Sequence, residues 1–299
     1  MKTILLGAAL IFLTGFIFRD NLRDIVSEKE SEQKENKKKK NKKEKNSRNE
    51  NSDVNASDVN VVNKWDLPEE LKEVSGIAYL SKNRFACVQD ELGVIFLYNT
   101  ATQKVDKKIS FTGTGDFEGI TVNGNTAYVV RADGLLFQID MSTGSSKEYR
   151  TPLTVNHNIE GLAFDKNKNR LLLAGKNDDP DYPGYKCIYE FDLKNQRLRK
   201  DPVIKIPNSA NESQGSSGKK KSIMPSALGI HPATAEIYIT DGPGSQLLII
   251  GEDGKIKKQF DLGKAFAQPE GITFAPDGDI FISNEGKKQA GNIMEVELK

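Results

Sequence analysis

Most of the chain after residue 60 repeats one pattern: a short apolar run, a polar turn, and a second apolar run. Residues 268–286 (QPEGITFAPDGDIFISNEG) show it clearly, because Pro276-Asp277-Gly278 separates two stretches in which apolar and polar residues alternate. Alternating runs on either side of such a turn are typical of a β-hairpin. The same hairpin, introduced by the same short motif, occurs five times.

The spacing of these hairpins predicts the architecture. Their motifs align at Gly76, Gly119, Gly161, Ala227 and Gly271, in steps of 43, 42, 66 and 44 residues. All-strand repeats of this length are the signature of a β-propeller with about four strands in each blade. The long third step contains two stretches of loop composition, residues 177–185 and 208–222, and is interpreted as one blade with an insertion. A sixth blade is disfavoured because the insertion has little apolar alternation.

The fifth repeat has three predicted strands before Lys299, and the missing fourth has a candidate near the other end of the chain. Residues 62–67 (VNKWDL) precede the first motif as an outer strand precedes the others. An N-terminal strand that completes the last blade closes the ring and removes free sheet edges. We therefore predict an all-β fold, a closed five-bladed β-propeller over residues 60–299 with Trp65 in the closing strand.

Two segments precede the repeats. Residues 4–18 form an apolar run of 15 residues, too short for a comfortable membrane span and suited to the core of a signal peptide. Because no small-residue cleavage site follows, we expect residues 1–18 to form a hydrophobic helix that stays as a signal anchor, with a cleaved signal as the alternative. Residues 19–59 are rich in Lys, Glu and Asn, which predicts a disordered basic linker. The expected location is the cell envelope, with the propeller outside the cytoplasm, or secreted if the signal is cleaved.

Composition narrows the class of partner and of site. The chain has 43 basic and 42 acidic residues, and the lysines of the linker are interleaved with glutamates without aromatic residues. This favours a solvated spacer with weak attraction to a membrane surface over a nucleic-acid site. Cys87 and Cys187 lie in apolar runs of different repeats and are expected to be buried and unpaired. The two histidines show no zinc-site spacing, and a monomer is expected.

Equivalent positions in the repeats predict rings of side chains, because the first strand of each blade lines the channel of a propeller. The residue before the motif glycine is Ser75, Glu118, Glu160, Ser226 or Glu270. Three carboxylates so close together need compensation. A bound cation would supply it, and a set of oxygen ligands favours calcium or magnesium over zinc. Alternatively, each glutamate bonds to backbone N–H groups of the next blade or pairs with a basic residue.

A second ring follows at the end of the second strands and mixes both signs of charge: Asp90, Ala132, Lys176, Asp241 and Asn284. Across both rings the metal-ligand candidates are Glu118, Glu160, Glu270, Asp90, Asp241 and Asn284. In the competing interpretation, Lys176 or Arg131 neutralises the glutamates without a metal. The candidates for a ligand-binding face are Arg131, His157, Lys176, Glu91 and Glu285.

Other motifs predict no chemistry. Asp178, Asp179 and Asp181 lie in a loop with Pro180 and Pro183, which we interpret as a solvated acidic loop. The sequence contains no phosphate-binding loop and no Gly-x-Ser-x-Gly motif, so no catalytic residue is predicted.

The five motifs as a set resemble those of the SdiA-regulated family, the YjiK-like bacterial propellers related to NHL repeats. They are residues 73–77 (EVSGI), 117–120 (FEGI), 158–162 (NIEGL), 225–228 (PSAL) and 269–272 (PEGI). The resemblance covers about residues 65–298 and implies a five-bladed propeller, often exported, with a bound calcium ion. It implies no established catalytic activity. The basic linker and the insertion at 208–222 are not part of the family pattern.

Three functions follow as hypotheses. The favoured one is an exported, membrane-tethered propeller that binds a protein, peptide or envelope ligand and holds calcium at its channel. The alternative is a metal-dependent hydrolase, phosphoesterase or lactonase-like, that uses the channel carboxylates, an analogy from fold alone. In the third, the rings are purely structural and the protein is a scaffold.

Overall fold

Twenty-one β-strands and one short 3-10 helix (Glu69–Leu71) account for the regular structure of residues 57–208 and 222–299, the part of the chain described by this computed structural model. These residues belong to one compact unit, Ser57–Lys299. The predicted hydrophobic helix, nearly all of the predicted linker and most of the insertion at 208–222 lie outside the described residues. Within the described ranges, no helix is long and apolar enough to cross a membrane.

The strands form five antiparallel sheets, which are the blades. Blade one contains β2 (Val74–Ser81), β3 (Arg84–Gln89), β4 (Leu92–Asn99) and β5 (Lys104–Thr114). Blade two contains β6 (Phe117–Asn123), β7 (Thr126–Arg131), β8 (Leu136–Asp140) and β9 (Ser146–Tyr149). Blade three contains β10 (Ile159–Asp165), β11 (Arg170–Gly175), β12 (Tyr185–Asp192), β13 (Arg197–Leu198) and β14 (Ile204–Pro207). Blade four contains β15 (Pro225–Ile230), β16 (Ile237–Asp241), β17 (Gln246–Ile250) and β18 (Ile256–Asp261).

Blade five confirms the predicted closure. It is built from β19 (Pro269–Phe274), β20 (Ile280–Asn284), β21 (Asn292–Leu298) and, as its outer strand, β1 (Val59–Asp66). β1 pairs antiparallel with β21, and Trp65 in β1 packs on Phe281, with ring centroids 6.4 Å apart. The first strands β2, β6, β10, β15 and β19 contact one another in a closed ring around the channel. The fold is therefore an all-β, five-bladed propeller.

Some strand bounds differ from the predicted ones. The closing strand begins at Val59 instead of residue 62, and β5 extends beyond the predicted residues 107–111. In blade three the outer edge is divided between β13 and β14, which both pair with β12. Continuous apolar runs mark the inner strands, which are buried on both faces, but outer strands have an exposed face and edge, so their ends are set by pairing more than by hydrophobicity.

The core lies between neighbouring blades. Phe111, Phe117 and Phe137 meet edge to face across blades one and two, with ring centroids 5.3 to 5.8 Å apart. Cys87 and Cys187 are buried and free, as expected. Burial raises the pKa of the Cys187 thiol to about 12, so this cysteine acts as a small apolar residue.

The motif glycine is required by the close approach of the first strands. A Cβ on Gly119 would lie 2.9 Å from the backbone oxygen of Glu160 and 2.9 Å from the Cβ of Leu162 in the next blade. A side chain at this position would push the two strands apart, so the glycine sets the width of the channel.

Candidate functional site

The channel has an acidic chamber at the end where the first strands begin. This cavity measures about 110 Å³. Its lining contains six carboxylic side chains and one lysine: Glu73, Asp90, Glu118, Glu160, Glu270, Glu285 and Lys176. All three glutamates of the first predicted ring therefore meet in one cavity.

The two serines of the first ring do not serve as the sequence suggested. Ser75 Oγ donates to the backbone oxygen of Phe117 at 2.5 Å, and Ser226 Oγ donates to that of Pro269 at 2.5 Å. Each hydroxyl thus links the first strand of one blade to the first strand of the next. Ser75 still lines the chamber beside the carboxylates, whereas Ser226 is outside its lining, so the expected convergence of both serines holds for one of them.

Glu160 and Lys176 form an ion pair within blade three. Lys176 Nζ lies 2.8 Å from Glu160 Oε1, which also accepts a hydrogen bond from Asn158 Nδ2 at 2.8 Å. The other oxygen, Oε2, is buried and has no hydrogen-bond partner among the described residues. Neutralisation by Lys176 is therefore present at one glutamate, and it leaves half of that carboxylate unsatisfied.

The chamber favours protonated carboxyl groups. Burial, followed by the charge of Glu160, raises the pKa of Glu118 to about 9. The same two causes raise the pKa of Glu270 to about 7, and burial raises that of Glu160 to about 7 in spite of Lys176. Burial and the neighbouring Glu73 raise the pKa of Asp90 to about 6. A low-dielectric cavity with several like charges penalises the ionised form of each acid.

The second predicted ring is only partly at the chamber. Asp90 lines it, with a buried Oδ1 that has no hydrogen-bond partner among the described residues. Asp241 is outside the lining, and its Oδ1 accepts from the amides of Met224 at 3.3 Å and Gly244 at 3.1 Å. Asn284 is also outside, and its Nδ2 donates to Asn292 Oδ1 at 3.0 Å. Four of the six metal-ligand candidates thus share one cavity, whereas Asp241 accepts from neighbouring backbone amides and Asn284 bonds to the adjacent strand β21.

The candidates for a ligand face also divide. Glu285 lines the chamber and accepts a hydrogen bond from Gln268, whereas Glu91 is outside the lining. Arg131 forms a two-pronged ion pair with Asp133, through Nε at 2.9 Å and the terminal nitrogen at 2.6 Å. Because Asp133 engages the Arg131 guanidinium, Arg131 does not pair with the ring glutamates. Lys176 is the basic residue that neutralises the ring.

The acidic loop of blade three is exposed at Asp178 and Asp181, as its composition predicts, but not at Asp179. Asp179 is buried, and its Oδ2 accepts from the Tyr189 hydroxyl at 2.6 Å. Asp178 pairs with the buried Lys186 at 2.7 Å. The loop folds back on the blade because its carboxylates accept hydrogen bonds from groups that would otherwise be buried without partners.

His157, Asp179 and Asp181 bring their ligand atoms within 4.8 Å of one another, the one such group in the described part of the chain. His157 Nδ1 accepts the backbone N–H of Thr154 at 3.1 Å, so the ring proton lies on Nε2. A metal bound at Nε2 would need a ring with no proton on either nitrogen. The hydrogen bond at Nδ1 therefore favours a structural role for His157 over a metal centre.

The acidic chamber suits a calcium ion by its donors. All its anionic groups are carboxylates, and two buried oxygens, Glu160 Oε2 and Asp90 Oδ1, lack a hydrogen-bond partner among the described residues. No three of its carboxylates lie within 4.8 Å of one another in the described chain, so water or side-chain movement must complete a shell. The flexible six- to eight-oxygen shell of calcium tolerates this better than the strict octahedron of magnesium.

An aliphatic ring closes the chamber from below. It consists of the residue after each motif glycine or alanine: Ile77, Ile120, Leu162, Leu228 and Ile272. All five are at least 95% buried, and the free space among them is only about 10 Å³. Beyond it the channel widens into a lower chamber of about 630 Å³ at the other face.

The separation of the channel into two chambers by this ring was not predicted from the sequence. The repeated apolar residue after the glycine was visible in all five motifs, but it served only to place the strands. In every motif this apolar residue follows the member of the first ring by two positions. That spacing could have predicted an apolar barrier directly under the carboxylates.

Comparison with known proteins places this geometry in a family. The family model described as SdiA-regulated matches residues 58–288. The fold is similar to a glutaminyl cyclase of Myxococcus xanthus, with 17% identity, a TM-score of 0.55, and coverage of 81% of this chain and 96% of that one. It is also similar to a luciferin-regenerating enzyme, with 11% identity, a TM-score of 0.51, and coverage of 75% and 77%. Among curated proteins no match was found. At these identities the structural likeness concerns the fold alone.

Proposed function

Because this chain belongs to the SdiA-regulated family, and its channel holds an acidic cavity that one lysine compensates only in part, we propose that it is a calcium-dependent binding protein. The observation that carries the proposal is the state of Glu160. This residue is only 4% exposed, and one of its carboxylate oxygens has no hydrogen bond among the described residues. An unsatisfied carboxylate oxygen facing a cavity of like charges is a site for a cation.

Glu118, Glu160, Glu270 and Asp90 are the residues that would hold the ion. Burial first, and the charges of neighbouring carboxylates second, raise their pKa values, so the cavity disfavours the ionised forms. A divalent ion would offset the repulsion between the carboxylates and would coordinate the oxygens that lack a hydrogen bond. Its chemistry here is structural and electrostatic: it would fix the mouth of the channel and offer open coordination positions to oxygen atoms of a ligand.

Binding, not catalysis, is the role that the serines support. The hydroxyls of Ser75 and Ser226 donate to backbone carbonyls of the next blade, so their hydrogens are directed to the backbone and not to a carboxylate that could act as a base. The hydrolase alternative depends on Glu118, whose pKa of about 9 would keep it protonated as a general acid. The names of the similar solved structures do not favour it, since the likeness extends to the fold only.

The ligand face is proposed to be the loops around the acidic chamber. Among the described residues, exposed apolar side chains at this end include Leu92 at the start of β4, Tyr185 at the start of β12, and Val155 in the loop before β10. Exposed apolar groups around a polar centre are typical of a binding surface. The proposed partner is a protein, peptide or envelope ligand, the proposed location is the cell envelope, and residues 4–18 are the proposed membrane tether. Protease treatment of intact cells tests the location: a propeller that resists cleavage unless the cells are lysed would contradict it.

Calorimetric titration of the full chain with calcium tests the ion site. We expect saturable binding that is at least tenfold weaker in Glu160→Gln and Glu270→Gln. Glu297→Gln, on the exposed part of β21, is the matched control and should bind as the unaltered protein does. Absence of heat together with absence of metal in the purified protein would sink the calcium proposal. Phosphoester or lactone turnover that depends on both calcium and Glu118 would favour the hydrolase.

A further inference from the structure

The lower chamber is a second site, separate from the acidic one. It lies beyond the aliphatic ring, where about 10 Å³ of free space remains in the channel. Its volume of about 630 Å³ falls within the range of cavities that hold small molecules, about 300–1,000 Å³. Because the ring blocks passage, a molecule here would enter from the face opposite the acidic chamber.

Backbone amides supply the polar groups of this chamber. In each first strand, residues alternate between bonding to the second strand and directing their N–H and C=O groups toward the channel. Phe164 N–H is directed this way and donates to Thr121 Oγ1 of the preceding blade at 3.3 Å. Tyr79 N–H donates likewise to Thr273 Oγ1 at 3.0 Å. Two of the five equivalent amides are therefore satisfied by a threonine.

The other three equivalent amides have no such partner. They belong to Val122, Ile230 and Phe274, and the residues that correspond to the threonines are Ala78, Ala163 and Gly229, which carry no hydroxyl. These amides, with the carbonyl groups of the same strands, are polar backbone groups of the chamber and lie between mostly apolar side chains. A ligand could satisfy them with carbonyl or ether oxygens.

The wall is close to neutral. Asp165, an acid in the lining, accepts a hydrogen bond from Arg170 Nε at 2.9 Å in a buried ion pair. Lys166 lies at the exposed rim. A charged molecule entering the chamber would lose its hydration without gaining a counter-charge on the inner wall, which costs several kcal/mol in general, whereas a neutral one would bury apolar surface.

We propose that the lower chamber binds a neutral small molecule with an apolar ring body and hydrogen-bond acceptor oxygens. The volume of the chamber limits the size of the molecule, and the apolar side chains favour an apolar ring. The amides of Val122, Ile230 and Phe274 favour acceptor oxygens on that ring. Water alone is the competing occupant, since it can also satisfy backbone amides.

Three matched probes separate these occupants: acetanilide, which is neutral with a carbonyl, benzoate, which is an anion, and benzylamine, which is a cation. Saturation-transfer NMR on the full chain, with each probe at about 1 mM, the upper end of weak binding, measures their contact with the protein. We expect acetanilide to bind and the two ions to bind weakly or not at all. Equal signals for all three, or none for acetanilide, would overturn the proposal in favour of water.

Variants identify the site. Two blades already have a threonine at this position, so Ala78→Thr and Ala163→Thr should leave the fold intact. The new hydroxyls should accept from the amides of Val122 and Ile230. We expect each to weaken acetanilide binding roughly two- to tenfold, the effect of one lost hydrogen bond. Ala101→Thr, in an exposed turn, is the control and should change nothing. Binding that both chamber variants leave unchanged would place the probe elsewhere and reject this site.

Discussion

The ammonium of Lys176 lies 2.8 Å from Oε1 of Glu160, at the wall of the acidic chamber. Burial would lower the pKa of Lys176, but the charges of Glu160 and of the two other ring glutamates outweigh it and leave the pKa raised. Lys176 therefore stays charged at neutral pH and is an internal competitor for any cation.

Removing this competitor should strengthen calcium binding. In Lys176→Met the chamber loses its positive charge, and we expect calcium to bind at least about tenfold more tightly, because the repulsion between a nearby charge and the ion at a partly buried site exceeds about 1.4 kcal/mol. Calorimetric titration checks this. Lys186→Met, which removes another buried and paired lysine of the same blade, is the control and should leave the affinity unchanged. Weaker binding in Lys176→Met would mean that the lysine positions Glu160 for the ion.

Stability without calcium should fall as pH rises. Glu160 and Glu270 have pKa values near 7 and Asp90 near 6 in the fold, all above the ordinary values near 4 of the unfolded chain. Between those limits the folded protein binds more protons than the unfolded one, so the free energy of unfolding decreases from about pH 4 to about pH 8.

Urea unfolding in a calcium chelator at several pH values measures this slope. Glu270→Gln should flatten it, because the amide does not titrate. Calcium should reverse part of it, since the ion binds the ionised carboxylates and its stabilising effect grows as pH rises. A stability that increases over this range in the chelator would contradict the raised pKa values.

The motif glycine predicts a sharp steric penalty. In Gly119→Ala the new methyl group meets the backbone of Glu160 and the side chain of Leu162, which belong to the next first strand. We expect a loss of about 1–3 kcal/mol in the free energy of unfolding, as for overpacked cores. Gly113→Ala, where a Cβ meets no atom within 4 Å, is the matched control for denaturant unfolding and should be close to neutral.

The closing strand should contribute to the stability of the whole ring. Val59 is buried in β1 among residues of blades four and five. Val59→Asp would bury a charge there and should cost roughly 3 kcal/mol or more. Asn60→Asp, at the exposed neighbouring position, is the control. Denaturation followed by fluorescence of Trp65, in the same strand, gives the comparison. Equal stability of the two variants would show that β1 contributes little to closure.

The sequence was sufficient for the architecture because the repeats carry it redundantly. Each motif places an acid or a serine at the channel, a glycine or an alanine against the next blade and an aliphatic residue in the barrier. Register among five copies then predicted the number of blades, and the incomplete last repeat predicted the role of β1.

Side-chain partners were harder to predict than positions. Ser75 and Glu118 are equivalent in register and both line the chamber, yet the Ser75 hydroxyl donates to the backbone of the next strand, whereas the longer Glu118 side chain is one of the carboxylates in the cavity. Arg131 pairs with Asp133, two residues away, and not with the ring. Asp179 is buried because Tyr189, in the adjacent strand, donates to it. Such choices depend on short distances that alternation and spacing do not encode.

The position of β1 has a mechanical consequence. It is the first described strand of the chain and also the strand that seals the ring, through its pairing with β21. Any tension transmitted along the polypeptide from its N-terminal side reaches the β1–β21 hydrogen bonds before it reaches another blade. Pulling on the chain would therefore separate β1 from β21 and open the propeller there. The strength of those hydrogen bonds would set the force that the domain withstands.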